Sequence, residues 1–195
     1  MEKQTLKLFP TLIHYFKQVL SPEQLSCISD HCLAAATHEH GAFVGDAKST
    51  FDRQSRLIDH LSDHYPQLAG LKEGLQTLVD AYAQEMGFSG VKITNSWFNI
   101  QRPGSLLKHH VHPDSRVSAA LCVVSDAESS KLWLENPNPV LHLIRPETYR
   151  ESTFEMVRFH LDPGDLVLFP SWIKHGSGFE ANGSPLRLMI SLNAM

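Results

Sequence analysis

The sequence contains no apolar stretch that approaches the roughly 20 residues of a membrane-spanning helix. Its first residues, Met-Glu-Lys-Gln-Thr, lead into no apolar segment of the kind that a secretory signal has. Cysteine is also scarce: there are three, and Cys27 and Cys32 lack the Cys-x-x-Cys spacing of a zinc or redox pair. An odd number of cysteines among apolar neighbours is typical of reduced, buried thiols. We therefore expect a cytoplasmic protein.

The sequence also lacks an excess of positive charge. Lysine and arginine together number 17 and aspartate and glutamate 21, which gives a net charge of −4 and a pI near 6.3. Since nucleic-acid binding usually requires a basic face, we expect no nucleic-acid partner. The 195 residues, of which 42% are hydrophobic, suit one folded domain with a full core, and no repeat or linker interrupts them. We expect a single domain over residues 1–195.

The first part of the chain, residues 1–88, has helical patterns. Ser21-Pro22-Glu23-Gln24 is a capping box, and the helix that it starts has apolar residues at three-to-four-residue spacing: Leu25, Ile28, Cys32 and Ala35. A second helix is predicted from near Pro66 to Gly87, with an apolar stripe at Leu68, Leu71, Leu75, Leu78, Val79 and Tyr82. Between them, the polar segment from Gly41 to Arg56 is predicted to be a loop.

The second part, residues 89–195, has short strand patterns separated by turns. The predicted strands are Val91–Gln101, Arg116–Val124, Lys131–Leu134, Val140–Ile144, Thr153–His160, Leu166–Phe169 and Arg187–Asn193. Because no helix lies between them, an antiparallel barrel or jelly roll is favoured over a parallel sheet. The fold class that we expect is mainly β, with the N-terminal helices supporting the barrel.

A candidate metal site lies just before the second predicted strand. Residues two apart in an extended chain point the same way, so His112 and Asp114 can both reach one ion while Pro113 points away. His175, which follows the apolar strand Leu166–Phe169, supplies a third ligand. Two imidazoles and one carboxylate on one face of a metal leave the opposite face open, as in non-haem Fe(II) oxygenases.

Arg187 begins the last predicted strand. Alternation places it on one face with Met189, Ser191 and Asn193, and the apolar residues Leu188, Ile190 and Leu192 on the other. An arginine that faces the inside of a barrel needs a buried anion, and its planar group matches a carboxylate with two hydrogen bonds.

The chain resembles the Fe(II)/2-oxoglutarate-dependent oxygenases, and within them a small group from bacteria and phage. The resemblance is carried by Leu8-Phe9-Pro10-Thr11, Ser96-Trp97-Phe98-Asn99, His110-Val111-His112-Pro113, Gly164 to Trp172, His175, and Arg187 to Asn193. It implies a double-stranded β-helix, iron held by His112, Asp114 and His175, and 2-oxoglutarate whose distal carboxylate is held by Arg187.

The activity that this resemblance implies is the hydroxylation of a C–H bond of a small molecule or a peptide side chain. It would consume O₂ and 2-oxoglutarate and release succinate and CO₂, with ascorbate as an accessory reductant. We expect Ser191 or Asn99 to assist Arg187 in binding 2-oxoglutarate.

The sequence departs from that group in one strand and leaves alternatives open. Where the group usually has Ser-Gly-Val-Tyr-Tyr-Val, this chain has Ser-Ala-Ala-Leu-Cys-Val at residues 118–123, which affects contacts to the cosubstrate and substrate. His110 and His112 also form a spaced pair, as in a cupin-type metalloprotein that does not use 2-oxoglutarate. A metal-free binding barrel is the third alternative.

Overall fold

A computed structural model describes residues 10–138, 146–150 and 153–195, together with the single residues 4 and 143. The helices are Pro22–Ala34 (α1), Leu57–His64 (α2) and Leu71–Glu85 (α3), with a 3₁₀ turn at Pro66–Leu68. The strands are His14–Phe16 (β1), Phe43–Val44 (β2), Ala47–Ser49 (β3), Ile93–Gln101 (β4), Leu106–Leu107 (β5), Val117–Val124 (β6), Leu132–Glu135 (β7), Met156–Phe159 (β8), Leu166–Pro170 (β9), His175–Gly176 (β10) and Arg187–Ala194 (β11). In the part of the chain so described, every helix is too short or too polar to cross a bilayer.

Helix α1 begins at the predicted capping box. The Ser21 side chain accepts a hydrogen bond from the Gln24 backbone N–H at 3.3 Å, and the Gln24 side chain accepts one from the Ser21 N–H at 3.0 Å. These bonds satisfy backbone donors that the first helical turn otherwise leaves unpaired. Ile28 and Cys32 are buried on the inner face, so the predicted start and apolar stripe are confirmed.

The helical region after residue 56 differs from the prediction in two ways. The second predicted helix is divided, because Gly70 adopts a left-handed conformation with φ +84° between the 3₁₀ turn and α3. Helix α2 was not predicted, since no capping side chain marks its start at Arg56. Its first turn is instead held by tertiary structure: the Ile58 N–H donates to the Ser96 hydroxyl of β4 at 2.9 Å.

Six antiparallel strands form the larger sheet in the order β1-β9-β6-β11-β4-β3. Its centre is β11, which pairs with β4 so that Arg187 lies opposite Gln101, and with β6 so that Met189 lies opposite Cys122. The two edge strands, β1 and β3, come from the N-terminal part of the chain. Residues before position 89 therefore contribute strands to the sheet as well as the helices that pack on it.

The remaining strands form a three-stranded sheet, β10-β7-β8, and the short pair β2-β5. The predicted loop from Gly41 to Arg56 contains β2 and β3, so that expectation was incomplete. The strand predicted over Thr153–His160 is shorter in the structure, where β8 covers Met156–Phe159. The strand predicted over Val140–Ile144 lies outside the described residues, apart from Leu143.

Two apolar clusters explain how the sheets and helices hold together. The helices pack on one face of the larger sheet, where Tyr82, Phe98 and Leu121 are almost completely buried. A second cluster, which includes Cys122, Leu134 and Phe169, lies between the two sheets. The structure is thus mainly β, with antiparallel sheets of jelly-roll type, and the space between the sheets beside the second cluster is a cavity.

Candidate metal centre

Between the sheets lies a cavity of about 660 Å³ that is lined by both polar and aromatic side chains. Strand alternation determines what faces it: Arg187, Met189, Ser191 and Asn193 line the cavity, while Leu188, Ile190 and Leu192 lie in the core with the helices. The alternation predicted for β11 is therefore observed.

Three histidines converge at one side of this cavity. One potential ligand atom from each of His110, His112 and His175 lies within 4.8 Å of the others. The ring centroids are 4.9 Å apart for His110 and His112, 4.4 Å for His110 and His175, and 5.1 Å for His112 and His175. Among the described residues, this is the one group of three or more His, Cys, Asp or Glu side chains close enough to share an ion.

Backbone carbonyls fix the orientation of two of the three rings. Nδ1 of His175 lies 2.9 Å from the Ile173 carbonyl oxygen, and Nδ1 of His110 lies 2.9 Å from the Lys108 carbonyl oxygen. A carbonyl oxygen can only accept, so each Nδ1 carries the proton and each Nε2 keeps its lone pair for a metal. Such outer contacts are the usual support of metal-binding histidines.

The protonation states of these rings also suit metal binding. Burial, and then the nearby charge of His110, lowers the pKa of His112 to about 4. Burial and the same neighbour lower the pKa of His175 to about 3. Since neutral imidazole is the ligand form, both rings are ready to bind a cation at neutral pH.

The predicted carboxylate ligand, Asp114, lies elsewhere on the cavity wall. Asp114 is exposed and lines the same cavity, but it does not belong to the three-histidine group. The structure thus brings together His112 and His175 as predicted and adds His110, which the sequence pattern offered as an alternative partner of His112.

Arg187 lies in the same cavity and is 7% exposed. Its Nη1 donates to the Gln101 side-chain oxygen, and burial lowers the pKa of the guanidinium to about 10. Within the described residues Arg187 has no carboxylate partner, and Gln101 Nε2 is a buried donor without an acceptor. A buried guanidinium without a counter-charge, beside a buried amide donor without an acceptor, is costly, so this end of the cavity fits an anion.

Membership of a family is decided by the match of the chain to known proteins. The sequence model of the family described as "Putative 2OG-Fe(II) oxygenase" matches residues 95–193, which is half of the chain. The chain belongs to the 2OG-Fe(II) oxygenase family. This oxygenase is therefore a 2-oxoglutarate-dependent non-haem iron enzyme, in preference to a cupin-type metalloprotein that does not use 2-oxoglutarate or a metal-free barrel. No curated protein matches the sequence.

Solved structures show the same fold. HygX from Streptomyces hygroscopicus, with nickel, 2-oxoglutarate and hygromycin B bound, is 12% identical with a TM-score of 0.64, over 94% of this chain and 82% of HygX. A prolyl-4-hydroxylase from Pseudomonas putida is 15% identical with a TM-score of 0.59, over 94% and 92% of the two chains. The viral collagen prolyl hydroxylase vCPH from Paramecium Bursaria Chlorella virus-1, in its 2OG complex, is 8% identical with a TM-score of 0.56, over 93% and 94%. The oxygenase thus has the double-stranded β-helix fold.

Asn99 on β4 and Ser191 on β11 belong to the same two paired strands as Gln101 and Arg187 in this oxygenase. Asn99 Nδ2 donates to the Ser191 hydroxyl at 3.3 Å, and Ser49 donates to the Asn99 side-chain oxygen at 2.7 Å. Both side chains line the cavity, so the structure places them where a cosubstrate can be contacted.

Two features of the site were not identified by any motif in the sequence. Gln101 was not singled out, although its register opposite Arg187 across β4 and β11 could have been expected from antiparallel pairing. The segment from Gly41 to Arg56 carried no motif, yet Phe51, Arg53 and Arg56 line the cavity. No local sequence signal shows this, because contacts with β4 place that segment at the mouth.

Proposed function

We propose that this protein is an Fe(II)- and 2-oxoglutarate-dependent dioxygenase that hydroxylates a C–H bond of a small molecule or a peptide side chain, with release of succinate and CO₂. The observation that carries the proposal is the presence, in one cavity, of three convergent histidines and a buried arginine without a carboxylate partner among the described residues. The first can hold a metal ion, and the second can hold a carboxylate.

In this proposal His110, His112 and His175 hold the iron. Imidazole nitrogen is a suitable ligand for iron, and one potential ligand atom from each of the three side chains lies within 4.8 Å of the others. Asp114, the carboxylate that the sequence pattern favoured as the third ligand beside His112 and His175, stays a prediction that the same metal titration tests. Its position on the wall gives the cavity one negative charge even where it does not bind the ion.

Arg187 and Gln101 bind the distal carboxylate of 2-oxoglutarate in this proposal. The guanidinium donates from more than one nitrogen and so favours a carboxylate over a single acceptor, and Gln101 Nε2 supplies a further buried donor. Asn99 and Ser191 extend this polar wall and position the rest of the cosubstrate.

Iron and 2-oxoglutarate, when bound, would supply the oxidant for the C–H bond, with O₂ consumed and succinate and CO₂ released. The chain itself binds and orients the reactants, and it excludes water. Phe169 and Met189 line the cavity and belong to the second apolar cluster, so part of its wall is apolar. No side chain is required as a general base, because the hydrogen leaves a C–H bond.

The structural relatives show which substrates the fold accommodates. The HygX structure contains hygromycin B, and the Pseudomonas putida and viral relatives are prolyl hydroxylases. We therefore propose a substrate from one of these two classes, a small molecule or a peptide.

The deciding experiment is an anaerobic titration with Fe(II) and 2-oxoglutarate that follows the visible charge-transfer band, then succinate formation after O₂ and ascorbate are added. We expect iron-dependent 2-oxoglutarate binding and slow succinate release without substrate, both inhibited by N-oxalylglycine. Absence of iron-dependent 2-oxoglutarate binding, with no succinate formed, contradicts the proposal.

A further inference from the structure

The mouth of the cavity is bordered by residues 52–56, here called the arginine segment. The Asn95 side chain of β4 donates to the Asp52 carbonyl at 2.7 Å and to the Ser55 carbonyl at 3.3 Å. The Ser96 N–H donates to the same Ser55 carbonyl at 3.0 Å, and the Ser55 hydroxyl donates to the Thr50 carbonyl at 2.8 Å. These bonds hold the backbone of the segment against the sheet.

The arginine segment carries Arg53 and Arg56, which are exposed and line the cavity. Arg56 donates from Nη1 to the Ser55 carbonyl at 3.1 Å. Within the part of the chain that the structure describes, neither guanidinium forms an ion pair. Two arginines at the mouth of a cavity attract an anion from solution, and Asp52, the acidic residue of the same segment, is not part of the cavity lining.

The charges that line the cavity are strongly unbalanced for a protein with a net charge of −4. The charged side chains on its wall are Arg53, Arg56, Arg187 and Asp114. A divalent ion together with Arg187 and Asp114 is balanced by 2-oxoglutarate, which carries two negative charges. The two arginines at the mouth add positive charge that this balance does not offset, which favours a second anion there.

An aromatic wall leads from the arginine segment to the histidines. The rings of Phe51 and Trp97 are 4.9 Å apart, and those of Trp97 and His112 are 5.8 Å apart. His40 continues the wall on the other side, with its ring 5.0 Å from that of Phe51. A flat apolar group that lies along this wall reaches from the arginines to the metal centre.

We propose that the substrate of this enzyme is an anion whose carboxylate or phosphate group is bound by Arg53 and Arg56, while its apolar body lies along Phe51 and Trp97. This inference rests on the proposed function, because it names the substrate class of that same cavity. Arginine suits such a group, since its guanidinium matches carboxylate and phosphate oxygens with paired hydrogen bonds. Arg53 and Arg56 are then specificity-determining residues.

The test compares two probes of equal shape, naphthalene-2-carboxylate and the neutral naphthalene-2-carboxamide. Their affinities are measured by calorimetry for the full chain with Fe(II) and 2-oxoglutarate under anaerobic conditions. We expect the wild type to bind the carboxylate more tightly. Arg53→Ala/Arg56→Ala should weaken carboxylate binding about tenfold or more and leave amide binding unchanged, and Arg53→Lys/Arg56→Lys should retain part of the preference.

A matched control is Lys17→Ala/Arg150→Ala, which removes two positive charges outside the cavity lining and should bind both probes as the wild type does. Naphthyl phosphate, as a third probe, shows which of the two anionic groups binds better. Equal binding of acid and amide by the wild type, no measurable binding of any charged probe, or equal losses in the arginine variant and the control would each overturn the proposal.

Two further measurements separate this proposal from the proposed function. The affinity for 2-oxoglutarate should be unchanged in Arg53→Ala/Arg56→Ala; a parallel loss would mean that these arginines hold the cosubstrate, and the proposal would fail. The titration is repeated on the metal-free protein. Arginine-dependent carboxylate binding there, without iron-dependent 2-oxoglutarate binding, would contradict the dioxygenase and support the anion site.

Discussion

His110 and His175, whose rings are 4.4 Å apart, are also joined through their backbones. The N–H of each donates to the carbonyl of the other at 2.9 Å, which forms an isolated antiparallel bridge. His112 is placed by a similar bond, from its N–H to the Ser171 carbonyl at 3.0 Å. The position of the three rings therefore depends on the pairing of two distant segments.

Removal of any one of the three histidines should weaken iron binding severely. Loss of a residue that only supports a metal ligand typically reduces metal affinity 10–100-fold. Loss of a ligand should cost more, so we expect the iron affinity to fall on the order of 100-fold or more in His110→Ala, His112→Ala or His175→Ala. The measurement is an anaerobic Fe(II) titration of each variant, with circular dichroism as a check of folding.

Asp114→Ala is the matched comparison for these variants. If the three histidines hold the iron, Asp114→Ala should keep most of the iron affinity, because Asp114 lies outside the histidine group. If Asp114→Ala lost iron and His110→Ala retained it, the ligands would instead be His112, Asp114 and His175.

Replacement of Arg187 should affect the cosubstrate and not the metal. Arg187→Ala is expected to weaken 2-oxoglutarate binding by about 3–5 kcal/mol, as for a buried pair that loses one partner. Arg187→Lys should retain only part of the 2-oxoglutarate affinity, because an ammonium group cannot make two parallel hydrogen bonds to a carboxylate as a guanidinium does. Calorimetric titration with 2-oxoglutarate on iron-loaded protein measures both, and unchanged affinity in Arg187→Ala would rule out this role.

Gly176, which follows His175, lies too close to its neighbours to tolerate a side chain. A Cβ at this position would be 2.5 Å from His109 Cδ2 and 2.7 Å from the Leu107 carbonyl oxygen. Gly176→Ala should therefore shift β10, lower the free energy of unfolding by about 1–3 kcal/mol and reduce iron affinity.

Gly74 in α3 provides the contrasting glycine, since nothing lies within 4 Å of an added Cβ. Gly74→Ala should raise the free energy of unfolding by about 0.5–1 kcal/mol, because alanine favours the helix over glycine. Urea unfolding measures the free energy of unfolding of both variants. Equal changes in Gly176→Ala and Gly74→Ala would contradict the predicted crowding at Gly176.

The three cysteines should differ in reactivity. Burial raises the pKa of the Cys32 thiol to about 12 and that of Cys122 to about 11, whereas Cys27 is only partly buried, contrary to the sequence expectation for it. Since the thiolate is the reactive form, Cys27 alone should react rapidly with a disulfide reagent at pH 8 in the native protein. All three should react in urea, and Cys27→Ser should abolish the rapid phase.

The sequence by itself determined the features whose causes are local. The start of α1 follows from Ser21 and Gln24, which cap each other within four residues, and the inward position of Arg187 follows from alternation in a strand. The order and spacing of His112, Asp114, His175 and Arg187 along the chain also indicated the family, which its sequence model confirms.

Only the tertiary structure decided which side chains meet. His110 lies beside His175 because the segment before β6 pairs with β10 in a particular register. Arg53 and Arg56 lie at the mouth because hydrogen bonds from Asn95 and Ser96 hold the backbone of their segment. Such pairings join residues far apart in the chain, and their register depends on the packing of whole strands. For that reason the spacing of His112 and Asp114 could suggest a ligand pair, while the position of His110 beside His112 and His175 depended on the fold.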